Sequence, residues 1–236
     1  MMKKTICVLG VFCLFSFCAH SISLAVGVEG GYTRNMLNTS TGYRAFTSYE
    51  DMGGFLIGIP VLVSFNDWFA LGSGLRYIQK NYSFQRDFGD WYIMYNNHTN
   101  GFLQVPVFAD FSVGQNAWRM FFNMGATFGF WLHNNREGWW TGFSENPFDP
   151  FYAQMEQFSD SGFVRERDRR FEAALFAGVG FRYDINFLTP YISVQYNHGL
   201  TDLQRDYMIN RIARYNNTIT VQMGVLFRVE ELLRRA

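Results

Sequence analysis

From Ile22 onward, apolar and polar residues alternate with a period of two, and the alternation is interrupted at regular intervals. This pattern predicts an all-β chain of eight antiparallel strands, over roughly 22–34, 53–65, 68–84, 99–113, 118–133, 169–183, 189–202 and 216–229. The predicted connections alternate in length. Residues 35–52, 85–98, 134–168 and 203–215 form long ones, whereas Asn66-Asp67, Gly114 to Ala117 and Asp184 to Leu188 are short. Transmembrane barrels carry this asymmetry, with tight periplasmic turns on one side and long external loops on the other. An even strand count places both ends of the barrel on the periplasmic side.

The two faces of each strand differ in a consistent way. Phe55, Ile57, Ile59, Val61, Val63 and Phe65 form an unbroken apolar row. Trp118, Met120, Phe122, Met124, Phe128 and Phe130 oppose Arg119, Asn123, Gly125, Thr127 and Gly129. Ile219, Val221, Met223, Val225 and Phe227 oppose Thr218, Thr220, Gln222, Gly224 and Arg228. The mixed faces also collect Arg76, Lys80 and Arg182 with the acids Glu29, Asp110 and Glu172. A lipid-facing Arg or Lys costs roughly 2–4 kcal/mol at the bilayer midplane, so the reversed register would cost on the order of 10 kcal/mol. The mixed face is therefore expected to point inward. A soluble barrel with an apolar interior would place Lys and Glu, not glycine, beside the long cations on its wet face. The pattern argues against it.

Composition supports the membrane reading. Aromatic residues make up 19% of the chain (26 Phe, 13 Tyr, six Trp), more than one soluble core accommodates but suited to a lipid-facing wall with aromatic girdles. Lys3 and Lys4, the apolar run Thr5 to Cys18, and Ala19-His20-Ser21 read as a signal peptide over 1–21. The barrel then occupies 22–229, and 230–236 reads as a short periplasmic tail. All three cysteines, Cys7, Cys13 and Cys18, fall in the signal, which leaves the mature chain without thiol chemistry or thiolate metal sites. Removing Lys3 and Lys4 leaves 18 basic residues against 20 acidic, a net charge of about −2 that argues against a nucleic-acid partner.

Two stretches carry a family resemblance. Asp67-Trp68-Phe69-Ala70-Leu71-Gly72-Ser73-Gly74-Leu75-Arg76-Tyr77-Ile78-Gln79-Lys80 and Phe102-Leu103-Gln104-Val105-Pro106 resemble the third strand and a later strand start of the PorT-like family of small outer-membrane β-barrels. That family is similar in form to OmpX and OmpW. A weaker match joins Ala177-Gly178-Val179-Gly180 to Tyr196-Asn197-His198-Gly199-Leu200-Thr201-Asp202. The resemblance implies a small barrel in a bacterial outer membrane, with Gln104 standing where the family has an acid. It also implies contact with outer-membrane lipid and with the barrel-assembly machinery. The final aromatic, Phe227, is followed by further residues, a departure from barrels that end on such a residue.

Candidate functional residues fall into two sets. Inside, Glu29, Asp110 and Glu172 are expected to pair with Arg76, Arg119, Arg182 and Arg228, either as a static plug or as the lining of a gated path. Outside, Trp91, Tyr92, Trp139, Trp140, Phe143, Phe151 and Tyr152 are candidates for ligand or partner contact, or for packing on one another as an extension of the wall. Arg165, Arg167, Arg169 and Arg170, interrupted by Glu166 and Asp168, read as a membrane rim that either meets anionic headgroups or neutralises itself in water. The mature chain has only three histidines: His133 has Asn134 and Asn135 beside it and no Ser in sequence reach, His98 lies in an expected loop, and His198 falls on the lipid-facing parity near a strand end, so no enzyme and no cofactor is expected. The leading functional expectation is a monomeric narrow channel or carrier for small, including hydrophobic, solutes. The alternative is a non-conducting structural, adhesin or secretion-associated barrel acting on an external protein through its loops.

Overall fold

The computed structural model describes residues 22–39, 46–87, 93–115, 117–142, 154–164, 166–205 and 213–230. The expected signal segment, and the expected tail beyond Glu230, lie outside the described residues. The strands are β1 Ser23–Thr39, β2 Thr47–Ser64, β3 Phe69–Gln79, β4 Tyr82–Asp87, β5 Ile93–Gln115, β6 Trp118–Gly142, β7 Gln154–Ser161, β8 Phe171–Tyr183, β9 Leu188–Gly199 and β10 Arg214–Arg228. All pairings are antiparallel. Following them gives a ring, β1-β2-β3-β5-β6-β8-β9-β10, closed where β10 returns to β1 in register from Ala25↔Arg228 to Thr39↔Arg214. Closure leaves no open edge at membrane depth, where an unpaired amide would find no water.

β3 and β4 act as one wall strand, because both pair with β2 on one side and β5 on the other. Their break at Lys80-Asn81 is spanned by side chains. Asn81 donates to the Gly53 carbonyl at 2.8 Å and accepts from the Asn100 amide at 3.0 Å. The short turns follow local chemistry. The Asn66 side chain accepts from the Trp68 and Phe69 amides at 3.1 and 2.7 Å, and Asn186, at φ 48°, supplies the left-handed residue between β8 and β9.

The expected faces are present. Val221 and Met223 are 42% and 64% exposed on the outer wall, whereas Thr220 and Gln222, which alternate with them, are 1% and 3% exposed. Exposed apolar residues on β6 run from Trp118 to Leu132. At about 3.4 Å per residue and a tilt of about 40°, that stretch rises roughly 35 Å, enough to cross the hydrocarbon core of a bilayer, about 30 Å thick. Inward glycines make room for long side chains. A Cβ at Gly58 would lie 2.9 Å from both Arg76 Cβ and Glu29 Oε1.

Two expectations change. Much of what reads as long loops is strand: β4 pairs with β5 over residues expected to be loop, β6 continues to Gly142, and β7 pairs with β6 from Asn135↔Ser161 to Gly142↔Gln154. Strands already paired below keep their amides satisfied by staying paired above the membrane. Aromatics also fill the lumen as well as the outer wall. Phe102 and Trp131 stack 5.6 Å apart in an inward cluster with Leu37, Leu56, Ile78 and Leu203, which occupies the external half of the interior.

Candidate functional site: lumen and external wall

Below that apolar layer the interior pairs its buried charges and also holds a second, smaller apolar cluster of Ala25, Leu62, Ala70 and Leu226 packed against Phe108 and Tyr191. Three buried carboxylates each hold one buried cation. Glu29 lies 3.3 Å from Arg76 Nε, close enough for an ion pair although that N–H is not aligned to donate to it, and Glu29 also accepts from the Tyr191 hydroxyl at 2.6 Å. Asp110 accepts from Arg182 Nη2 at 2.7 and 2.6 Å, and the Arg182 guanidinium lies over the Phe121 ring at 4.2 Å. Glu172 accepts from Lys80 Nζ at 2.6 Å, Gln104 at 3.2 Å and Asn216 at 2.9 Å. Lys80 and Glu172 are each 1% exposed, and Lys80 lies 5.3 Å from the Phe102 ring centre, where the polar interior meets the apolar layer.

The other two expected lumen cations lie elsewhere. Arg119 Nε is 3.0 Å and Arg228 Nη2 2.6 Å from Asp184, in the β8–β9 turn at the periplasmic mouth, and Arg119 also donates to the Asp67 carbonyl at 2.9 Å. A central network containing Arg119 and Arg228 is therefore corrected to a periplasmic clamp that ties three turns together. Lys80 takes a central place that sequence reasoning gave to an arginine. It lay on the inward parity with Arg76, and that was the available signal. Between the Glu29–Arg76 and Asp110–Arg182 pairs lies a cavity of about 40 Å³, also lined by Tyr191 and Gln195. That volume takes a few waters at most. The periplasmic mouth opens into a larger one of about 240 Å³ bordered by Arg119, Asp184 and Arg228.

Above the membrane band, Trp139 and Trp140 sit on β6, half-buried, with Trp139 stacked on Tyr95 at 6.4 Å. Trp91, Tyr92, Phe143, Phe151 and Tyr152 lie outside the described residues. His98 is buried in this upper wall, stacked on Tyr82 at 4.6 Å and hydrogen-bonded to Asn134 at 3.0 Å. Burial pushes its pKa down to about 4, against the Asn134 hydrogen bond, which raises it. His133 shares a 2.8 Å hydrogen bond with the Tyr77 hydroxyl, the two meeting across Gly101, where any side chain would collide with them. His198 is exposed on the outer face. No group of three or more His, Cys, Asp or Glu among the described residues is placed to hold a metal ion.

A closed antiparallel ring with an apolar exterior and a polar, charge-paired interior defines a transmembrane β-barrel. The chain matches the family model for the outer membrane protein beta-barrel domain over residues 18–205, and it belongs to that family and to the outer membrane. Solved structures similar to this chain include OprG from Pseudomonas aeruginosa (11% identity, TM-score 0.46, covering 88% of this chain and 97% of that one). They also include Neisserial surface protein A (10%, 0.45, 89% and 99%) and the attachment invasion locus protein Ail of Yersinia pestis (12%, 0.37, 86% and 97%). Likeness at this distance carries no argument about activity. A search of curated proteins found no match.

Proposed function

We propose that this protein is a non-conducting outer-membrane barrel that acts through its external β-wall, in the structural, adhesive or secretion-associated manner of the PorT-like barrels it resembles. The observation that carries this reading is the filled interior: a central cavity of about 40 Å³ between two ion pairs, with a third pair and an apolar layer stacked toward the outside. The upper wall adds to it. β6 is 25 residues long, and its last nine or so, at about 3.4 Å each, reach well beyond the bilayer. In this reading residues 1–21 are the export signal, the assembly machinery inserts the barrel, and the mature protein works as a monomer without a catalytic role. The narrow-channel or carrier reading takes second place, because a solute would have to displace buried charge pairs one by one.

Planar-bilayer recording of the purified mature chain separates the two. The expected record is indistinguishable from an empty bilayer, and reproducible conductance steps would contradict the proposal. In a strain lacking the native gene, a chain without residues 139–163 is expected to insert but not to restore function. Full complementation by it would place the activity outside the wall.

A further inference from the structure

Three cations on the external surface are matched by acids among the described residues. Arg34 lies 3.7 Å from Asp51, Arg136 donates to Asp160 at 2.8 Å, and Arg167 donates to Asp168 at 2.7 Å. Arg170 differs. It is exposed, its guanidinium sits 4.4 Å from the Phe163 ring centre and 5.9 Å from that of Phe130, and no carboxylate pairs with it among the described residues. Arg205 is also exposed and donates through Nε to the Asp168 carbonyl at 3.3 Å, and no carboxylate among the described residues forms an ion pair with it. Together the two arginines border a cavity of about 410 Å³ whose other described walls are Phe163, Val164 and Asp168. The Asp168 carboxylate does not offset them, because it accepts from Arg167 Nε and Nη2 and from the Val164 amide at 2.7, 3.0 and 2.8 Å.

The position of this pocket matters as much as its charge. Phe130 and Phe171, immediately beside Arg170, are 48% and 51% exposed and lie at the upper end of the apolar band. The pocket therefore opens at the level of the outer-leaflet headgroups. A guanidinium stacked on a ring still presents its N–H edge, and two such edges facing one cavity match the several oxygens of a phosphate better than a single carboxylate. Phe163 and Val164 add an apolar floor for the part of the ligand nearest its chains. We infer that Arg170 and Arg205 bind the phosphate group of an outer-leaflet lipid. The site is independent of whether the lumen conducts, and it separates the acid-paired Arg167 of the basic rim from Arg170, which joins Arg205 at the pocket; Arg165 lies outside the described residues.

The test is native mass spectrometry of the full mature chain in detergent, titrated with diphosphorylated lipid A. Parallel arms use the same lipid stripped of phosphate, and inorganic phosphate as competitor. Diphosphorylated lipid is expected to bind the native chain, and Arg170→Gln or Arg205→Gln to weaken it about tenfold or more, the scale of one charge-assisted hydrogen bond. Arg34→Gln, which removes an acid-paired rim cation, should leave binding unchanged and shows that bulk charge is not responsible. Equal binding of the stripped lipid, or undiminished binding by both variants, overturns the inference. Displacement by inorganic phosphate at the lipid's own concentration assigns the pocket to a soluble phosphate and overturns the lipid source.

Discussion

Glu172 has the most at stake of any single residue in the interior. It is 1% exposed and holds Lys80, Gln104 and Asn216 together from three other wall segments. Glu172→Ala would leave the Lys80 ammonium buried without its counter-charge, a loss of about 3–5 kcal/mol in unfolding free energy. Adding Lys80→Met removes the stranded charge and should recover a large part of that loss. Urea unfolding in lipid vesicles measures both, and an unchanged midpoint for the single variant would remove the pair from the account. The sequence made the face of this residue legible but not its partner. Alternation assigns Glu29, Asp110, Glu172, Arg76 and Arg182 to the inside, since parity fixes the side of a strand. Depth along the axis and the neighbour across the lumen depend on tilt and shear, which no local pattern encodes. Arg119 and Arg228 share the inward parity, yet they sit at strand ends, where Asp184 in a turn collects both.

The strands that outgrow the bilayer set the behaviour of the upper wall. In sequence they resemble loops because, above Leu132, both faces of β6 are polar or aromatic (Asn134, Asn135, Arg136, Glu137, Trp139, Trp140), so the apolar alternation that marks a lipid-facing strand is absent. Pairing with β5 and β7 holds the segment straight. His98, Tyr82 and Asn134 lock β4, β5 and β6 to one another in that region. His98 has its folded pKa lowered to about 4 by burial, and the surrounding Arg214, Arg136 and Arg167 press the same way. The unfolded chain therefore binds a proton here that the folded chain refuses. Its contribution is fully present above about pH 6.5 and falls away as the pH drops toward 4, for a total on the order of 3 kcal/mol. His98→Gln should flatten this part of the stability profile between pH 7.5 and 4.5. A native profile with the same slope as the variant would show that His98 is not buried in neutral form.

At the scale of the whole molecule, the ring of eight strands was legible because lipid imposes one requirement on every strand at once, and a single reversed strand would expose charge to hydrocarbon. What fills the lumen was less so, since polar, charged and aromatic inward residues are all compatible with either a plug or a path. The central claim, apolar wall outside and packed polar interior, can be tested along β10. All three cysteines lie at positions 7, 13 and 18, so in a chain that starts at residue 22 single cysteines can be placed one at a time from 218 to 223 and at 225, and spin-labelled in lipid vesicles. Labels at 219, 221, 223 and 225 are expected to meet membrane-dissolved oxygen, and those at 218, 220 and 222 to be shielded from both oxygen and a water-soluble nickel relaxant. Nickel access at the even positions would reveal a water-filled bore, and oxygen access there would mean that the barrel is built the other way out.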